Sequence, residues 1–353
     1  MVNHLYRVVI QLISSILGLL LITSCSQSFT KDREGSAKPT ATTTCELIQH
    51  QLGETEVCGD AQTIVVLNPN MLELLVALGI QPIGYADIFA IHTGEAFDQP
   101  TQQIPYLGNQ VTTQPVNLGT AMEPSLEAIA QLNPDLILGS IEELEGKYDI
   151  LSQIAPTLLF RYRGTDNWQQ SIQAIAQATG RKKQAKQVFD AYQQKIETVR
   201  HALKPVVENY PSVLMLASDN IERSLQIAND RDFCGSLMED LGFQLVTLPG
   251  QTLNTTAQDI SLEVLSDLNA DLIVIQGHNS ESFDQLTDVN DFSNHQLSDL
   301  RQAWTENAIA QSLTPSKKGR VYFVPTYLCR GLPGPIGTEI LLTQFQDFLL
   351  SVN

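Results

Sequence analysis

Basic residues are scarce in this chain of 353 residues. Its 21 Lys and Arg stand against 39 Asp and Glu, which gives a formal net charge of −18. Such a chain repels both the phosphate backbone of nucleic acids and the anionic face of a membrane. We therefore expect no nucleic-acid partner, and a basic residue at a special place is more informative here than an acidic one.

Motifs of catalysis and metal binding are also missing. The six histidines show no close pairing, and no G-x-S-x-G elbow occurs. The stretch GLPGPIG at 331–337 lacks the Lys and Ser/Thr of a P-loop, so we interpret it as the turn that enters the last helix. We expect no enzyme, no cofactor and no metal ligated by the protein.

A long apolar run occurs at the N-terminus, where Arg7 precedes VVIQLISSILGLLLIT. This pattern predicts a signal peptide over 1–24, because a transmembrane helix needs about 20 apolar residues; a retained span is the alternative. The stretch Ile22-Thr23-Ser24-Cys25 resembles a bacterial lipobox, whose Cys is lipidated; the alternative is a stray cysteine in a cleaved leader. Residues 25–44, rich in Ser, Thr, Lys and Pro, predict a flexible tether.

The other four cysteines form an even number in a chain that is expected to be exported to an oxidising compartment. Cys45 and Cys58 flank an alternating stretch with Gly53 near its middle, and a hairpin there would bring the two sulfurs together. A Cys234–Cys329 disulfide follows by elimination. Free, buried cysteines are the alternative for this second pair.

An internal repeat indicates two similar halves. SLEAIAQLNPDLILG at 125–139 and SLEVLSDLNADLIVI at 261–275 match at eight of fifteen positions, and each predicts a helix followed by a buried strand. LLVALGIQPIGY at 74–85 and LMEDLGFQLVTL at 237–248 each predict a helix that stops at Leu-Gly before a strand. With strands expected at 63–68 and 212–217, the order is β-α-β-α-β twice. The fold class is therefore α/β, with two β/α lobes and mainly parallel sheets.

Between the halves, residues 181–204 contain no Gly or Pro and carry apolar residues at helical spacing, at Val188, Tyr192, Ile196, Val199 and Leu203. This pattern predicts one amphipathic helix of roughly 35 Å. A packed helix across both lobes allows only small relative movements, so the lobes should be nearly rigid.

Two lobes joined by one long helix behind a lipobox resemble the iron-siderophore and cobalamin class of periplasmic substrate-binding proteins, which serve ABC importers. The motifs that carry the resemblance are TIVVLNPNMLELLVALGIQPIGY, EPSLEAIAQLNPDLIL, DISLEVLSDLNADLIVI and VYFVPTYLCRGLPGPIGTEILL. CELIQHQLGETEV, ahead of the first strand, looks most like the ferric-citrate and hydroxamate branch. The resemblance implies the class III architecture, with an N-terminal lobe at 45–165, a helical connector at 166–208 and a C-terminal lobe at 209–353.

The resemblance also implies a function. A monomer, anchored by lipid on Cys25 in the periplasm or at the cell surface, would capture a ferric siderophore and deliver it to an ABC permease dimer with its ATPase subunits. In the resembling family, an acidic residue on each lobe meets arginines of the permease, and Glu127 and Glu263 match that motif. The alternative for both residues is a helix N-terminus that favours a carboxylate.

Candidate ligand residues follow the predicted strands, because open α/β sheets bind ligands at the carboxyl ends of their strands. A ferric siderophore is compact and commonly anionic, and its own oxygens wrap the iron, so Arg forks and aromatic faces are the side chains needed. Ser218, Asp219 and Arg223 are further positions of this kind. The ligand set that we expect is Asn68, Tyr85, Ser140, Arg161, Tyr162, Arg163, Arg231, Phe233, Tyr327 and Arg330.

Two other functions fit the pattern less well. A cobalamin or haem site would favour Trp-rich clefts, whereas this chain has only Trp168 and Trp304, and neither directly follows a strand. An exported enzyme or redox protein on a two-lobed scaffold would need a base near a nucleophile or clustered cysteines, and the interior cysteines are scattered.

Overall fold

The computed structural model describes residues 44–161, 167–228, 232–248, 258–279 and 288–351, together with residues 281, 283 and 286. The chain divides into residues 1–42 and residues 43–353, and all described residues belong to the second unit. The predicted signal peptide, the lipobox Cys25 and nearly all of the tether lie outside the described residues. Within the described ranges, every helix is too short or too polar to cross a membrane.

The described part begins with a hairpin of β1 (Cys45–His50) and β2 (Gly53–Cys58), which pair antiparallel. Cys45 lies directly opposite Cys58, and a disulfide joins them across a Cα separation of 3.9 Å. The structure therefore contains the hairpin and the disulfide that the alternating sequence predicted. Gly53 follows the tight turn with a φ of 121°, which a residue with a side chain rarely adopts.

The N-terminal sheet contains five parallel strands in the order β5-β4-β3-β6-β7. Its strands are β3 (Ile64–Val66), β4 (Gly84–Asp87), β5 (Val116–Thr120), β6 (Leu136–Ser140) and β7 (Thr157–Phe160). Its helices are α1 (Pro69–Ala77), α2 (Pro100–Gln103), α3 (Leu126–Leu132), α4 (Ile141–Leu144) and α5 (Tyr148–Ile154), with 3₁₀ turns at Gly108–Gln110 and Glu145–Lys147. Strands β3 and β6 are buried along their whole length, as a parallel sheet covered on both faces requires.

Two helices connect the sheets, α6 (Asn167–Ala178) and α7 (Lys182–Asn209). The second helix runs five residues beyond the predicted end, through Pro205, and its 28 residues span about 42 Å. Its buried stripe includes Ile196, Val199 and Leu203, in agreement with the predicted apolar face.

The C-terminal sheet has the order β11-β9-β8-β12-β13, and β10 also pairs with β8. Among the described strands of this sheet, β9 alone runs against the others. Its strands are β8 (Ser212–Asn220), β9 (Ser224–Ile227), β10 (Gln244–Leu245), β11 (Gln258–Asp259), β12 (Leu272–Gly277) and β13 (Val321–Pro325). Its helices are α8 (Phe233–Asp240), α9 (Phe292–Glu306), α10 (Ala308–Ser312), α11 (Thr314–Lys317) and α12 (Pro335–Ser351), with 3₁₀ turns at Leu262–Asp267 and Val289–Asp291 and a π-helical turn at Tyr327–Gly331.

The two halves repeat each other with two differences. Helices α1 and α8 both end before a glycine of positive φ, Gly79 at 74° and Gly242 at 102°, which confirms the predicted Leu-Gly stops. The second SLE segment does not form the expected α-helix but the 3₁₀ turn Leu262–Asp267. Ser261 makes no capping bond to the backbone there, whereas Ser125 caps α3. The C-terminal half also inserts β9 ahead of its first long helix.

The last helix, α12, returns to the N-terminal half and packs against α7 and α1. Glu73 of α1 is fully buried and accepts hydrogen bonds from the backbone N–H groups of Gly334 (2.9 Å) and Gly337 (2.7 Å). The GLPGPIG stretch is thus the turn into the last helix, as predicted, and its backbone wraps a carboxylate of the protein itself.

Candidate ligand-binding site

Among the described residues, one arginine lies after the end strand of each sheet, at equivalent places in the two halves. Arg161 follows β7 directly, and Arg330 lies shortly after β13. The two strands end the sheet orders β3-β6-β7 and β8-β12-β13, so they occupy matching positions in the two halves. Both arginines therefore lie at the carboxyl end of their sheet, where open α/β sheets bind ligands.

Arg161 lies beside acidic side chains at the start of α4. Its side chain is 49% exposed, and its Nη1 atom lies 3.5 Å from Oε1 of Glu142. Ser140, the last residue of β6, accepts a hydrogen bond from the Glu142 backbone N–H at 3.2 Å, and its hydroxyl contacts the carboxylates of Glu142 and Glu143. Ser140 therefore orients the carboxylates of α4 and is itself fully buried.

Arg330 lies beside a buried carboxylate in the C-terminal half. Its side chain is 51% exposed, and its Nε atom lies 3.9 Å from Oδ2 of Asp232. The other oxygen, Oδ1, accepts hydrogen bonds from Gln276 Nε2 at 2.6 Å and from the backbone N–H groups of Cys234 (3.1 Å) and Gly235 (3.4 Å). Burial raises the pKa of Asp232, while the charge of Arg330 and these hydrogen bonds act in the opposite direction.

The two halves also touch each other through a buried polar cluster. The Tyr327 hydroxyl lies 3.2 Å from both carboxylate oxygens of Asp87, and the Tyr85 hydroxyl donates to Asp87 Oδ2 at 2.7 Å. Phe89 and Phe283 stack beside it, with ring centroids 4.7 Å apart. Burial raises the pKa of Asp87 to about 6 despite these donors, so the cluster is desolvated.

Comparison with known proteins identifies the family to which this chain belongs. A family model described as periplasmic binding protein matches residues 64–328. The chain belongs to the periplasmic binding protein family. The match extends from β3 to the turn that carries Tyr327, so it includes both sheets and the connecting helices.

Named relatives of this periplasmic binding protein bind ferric complexes. The Fe(3+)-citrate-binding protein YfmC of Bacillus subtilis is 27% identical over 310 residues, which are 87% of this chain and 86% of that protein. The Fe(3+) dicitrate-binding periplasmic protein FecB of Escherichia coli is 24% identical over 296 residues, covering 83% and 86% of the two chains.

Among solved structures, FeuA of Bacillus subtilis complexed with ferri-bacillibactin is similar with a TM-score of 0.65 and 21% identity, over 87% of this chain and 98% of that one. Staphylococcus aureus SirA complexed with staphyloferrin B has the same TM-score at 20% identity, over 86% and 98%. At this identity the likeness establishes the fold, which is that of class III binding proteins.

Several of the predicted ligand residues lie in the interior of the protein. Five of them are buried: Asn68, Tyr85, Ser140, Phe233 and Tyr327. Asn68 uses its side-chain oxygen to cap α1, accepting from Met71 N at 2.9 Å. Tyr85 has no exposed surface and Tyr327 is 4% exposed, so in this conformation both face the contact between the halves and not an open cleft. The two tyrosines are buried because their hydroxyl groups bond to Asp87, a contact that the sequence did not predict.

The remaining candidates lie outside the described residues, on the surface or, in the case of Ser218, in the interior. Tyr162, Arg163 and Arg231 are not among the described residues. Arg223 pairs with Asp219 at 2.7 Å and its side chain is 72% exposed. Ser218 is buried and donates to the Ser224 carbonyl at 2.7 Å. Arg161 and Arg330 are thus the described cations that combine a strand end with a half-exposed side chain.

Sequence reasoning missed three acidic residues at this site, Asp87, Glu142 and Asp232. The expected ligand positions were arginines, aromatic residues and small polar residues, and Asp219 was the acidic residue among them, so these three carboxylates were not predicted. Asp232 carried a usable signal, since an Asp ahead of a helical segment is a common N-cap. Asp87 carried none, because its partner Tyr327 is 240 residues away in sequence.

Proposed function

We propose that this protein is an extracytoplasmic solute-binding protein that captures a ferric siderophore between its two halves and delivers it to an ABC permease. The family match over residues 64–328 supports solute binding. The ferric-citrate specificity named for YfmC, a relative that aligns over 87% of this chain, supports iron as the cargo. Iron arrives already enclosed by its chelator, so the protein contributes contacts to the organic shell and no metal ligand.

The matched pair of arginines is the observation that carries the proposal. Arg161 and Arg330 stand at equivalent strand ends of the two sheets, and each is half exposed. A guanidinium on each side of a cleft suits an anionic complex with carboxylate or hydroxamate oxygens on its surface. Each neighbouring carboxylate offsets the charge of its arginine, but a contact with one guanidinium nitrogen leaves further N–H donors for ligand oxygens.

Titration of the purified mature protein with a panel of ferric siderophores tests the proposal. The panel includes ferric citrate, a ferric trihydroxamate and a ferric catecholate, together with cobalamin and haem. We expect saturable quenching of intrinsic fluorescence by at least one ferric siderophore, and weaker or no quenching by cobalamin and haem. A protein that binds none of the ferric complexes, or prefers cobalamin or haem, does not have the proposed function.

Lipid anchoring belongs to the same proposal. Ile22-Thr23-Ser24-Cys25 stands at the end of the apolar run, and the following polar segment would hold the binding unit about 25 Å from the bilayer. We expect mass spectrometry of the mature protein to find Cys25 as its first residue, carrying lipid. An unmodified mature chain that begins elsewhere contradicts the anchor.

A further inference from the structure

The π-helical turn Tyr327–Gly331 is held at three points in succession. Tyr327 bonds to Asp87 in the N-terminal half, with both oxygens at 3.2 Å. Cys329 is joined to Cys234 of α8 by a disulfide with a Cα separation of 5.2 Å. Arg330 lies next in sequence and pairs with Asp232, two residues before Cys234. The turn that carries the arginine therefore cannot move away from α8 while the disulfide is intact.

Asp232 is itself fixed by its surroundings. Its side chain is only 11% exposed, and Oδ1 receives hydrogen bonds from two backbone N–H groups at the start of α8 and from Gln276. Gln276 lies on β12, is fully buried and therefore has a fixed position in the sheet. Oδ2 is the oxygen that remains for Arg330. Among the described residues, Asp232 is the acidic residue that forms an ion pair with Arg330.

Among the described residues, no disulfide holds Arg161 in the other half as the Cys234–Cys329 disulfide holds the turn of Arg330. Arg161 pairs with Glu142 across 3.5 Å, and neither residue is linked to a cysteine. An unrestrained Arg side chain loses much rotamer freedom when it binds a ligand, whereas a prepositioned one has lost it already. The two matched arginines thus differ in how the backbone that carries them is restrained, since only the turn of Arg330 is tied to a neighbouring helix by a disulfide.

We propose that Asp232 and the Cys234–Cys329 disulfide are positioning elements that hold Arg330 ready for an anionic group of the ligand. The inference rests on the proposed function. Asp232 acts through Arg330 and touches no ligand, and the disulfide keeps the turn of Arg330 against α8. Restoring the freedom of this one side chain should weaken binding of an anionic complex about tenfold.

The test measures the Kd of ferric citrate for the mature protein and for four variants. Cys234→Ser with Cys329→Ser opens the disulfide, and Cys45→Ser with Cys58→Ser opens the hairpin disulfide as the matched control. We expect about tenfold weaker binding in the first variant and less than twofold change in the control. In the third, Arg330→Gln, binding should weaken at least tenfold, and opening Cys234–Cys329 in this background should add less than twofold, because the disulfide acts only through the arginine.

Asp232 provides an independent test that does not depend on the folding of the cysteine variant. A carboxylate that merely offsets the charge of Arg330 predicts tighter binding of ferric citrate in Asp232→Asn, whereas a positioning carboxylate predicts weaker binding. We expect several-fold weaker binding, and partial rescue by Asp232→Glu.

Tighter or unchanged binding in Asp232→Asn overturns the inference, as does an equal loss from the disulfide variant with and without Arg330. A wild-type protein that binds only an uncharged trihydroxamate also overturns it but leaves the proposed function standing. Failure to bind any ferric siderophore overturns both.

Discussion

Arg161 and Arg330 hold matching places at the ends of the two sheets. Removing a charge-assisted contact in a desolvated cleft costs on the order of 1.5–3 kcal/mol, which corresponds to about tenfold or more in Kd. We expect Arg161→Ala and Arg330→Ala each to weaken binding of ferric citrate at least tenfold in fluorescence titrations.

Arg200→Ala is the control for these substitutions, because Arg200 lies on α7 with a similar exposure of 48% and also pairs with a carboxylate, Glu197, at 3.1 Å. Its substitution should leave the Kd within twofold of wild type. If both variants bind ferric citrate with wild-type affinity, Arg161 and Arg330 do not belong to the binding site.

Two buried carboxylates make stability depend on pH. Burial raises the pKa of Glu73 from 4.5 to about 7 and that of Asp87 from 3.8 to about 6. Each group binds its proton more tightly in the folded state, so its contribution to stability is present at acid pH and is lost as the pH rises to about 7.

Glu73→Gln removes one of these titrations. The fall in the free energy of unfolding between pH 5 and pH 8 should therefore be smaller in this variant than in wild type, by about 2 kcal/mol. Urea denaturation at the two pH values measures the difference. Glu56→Gln, at an exposed position of the hairpin, is the control and should follow the wild-type curve; a wild-type curve in Glu73→Gln as well would show that Glu73 is not the titrating group.

At the scale of elements, the turn before α12 requires glycine at two positions, because a Cβ atom there would collide with neighbouring atoms. A Cβ at Gly337 would lie 1.9 Å from the Leu332 carbonyl oxygen, and one at Gly334 would lie 2.7 Å from the Glu73 carboxylate. Glycine at 334 therefore permits the close approach of the backbone to Glu73 of α1, and glycine at 337 permits the close approach to Leu332 within the turn.

Gly337→Ala should therefore destabilise the protein by about 2–4 kcal/mol, through overpacking and the loss of the Glu73 hydrogen bonds. Gly146→Ala is the matched control, since a Cβ there meets no atom within 4 Å, and its stability should be equal to wild type or up to about 1 kcal/mol higher. Thermal and urea unfolding measure both. Equal stability of the two variants would mean that the turn relaxes without cost.

At the scale of the whole molecule, each half carries one glutamate that we propose to dock on one subunit of a permease with two similar subunits. Glu127 and Glu263 are both exposed, each in the first turn of the helical segment that begins at the Leu of an SLE motif. In the proposed docking, each carboxylate meets a basic residue of one permease subunit. Rim charges of this kind govern association with a partner more than affinity for a ligand in a distant pocket.

Charge reversal of both residues, Glu127→Arg with Glu263→Arg, should abolish uptake of the ferric siderophore and permease-stimulated ATP hydrolysis. The Kd of the siderophore should stay within about twofold of wild type. Glu56→Arg with Glu208→Arg makes the same change in net charge away from these segments and should retain uptake. Normal uptake in the first variant, with normal export, leaves stabilisation of the helix ends as the role of the two residues.

Local patterns in the sequence indicated most of the elements and their order, although not the 3₁₀ form of the second SLE segment or the insertion of β9. Gly79 and Gly242 end helices because glycine, which has no Cβ, adopts a positive φ without strain. Alternation around a short turn placed Cys45 opposite Cys58. The internal repeat indicated two β/α halves, and apolar spacing indicated the connecting helix. Each of these signals acts over a few residues, or by direct comparison of one segment with another, so no tertiary information was needed.

Contacts between distant segments were decided by the tertiary structure alone. Asp87 meets Tyr327 across 240 residues, and Glu73 meets Gly334 across 261, only because the last helix returns to the first half. The same packing buried Tyr85, which looks from its strand-end position like a ligand residue. Arg161 and Arg330 could be predicted from the sequence because they follow strands. Their acidic partners, Glu142 and Asp232, could not both be predicted in this way. Which side chain faces a partner and which faces a cleft depends on how the two sheets approach, and a local pattern does not contain that information.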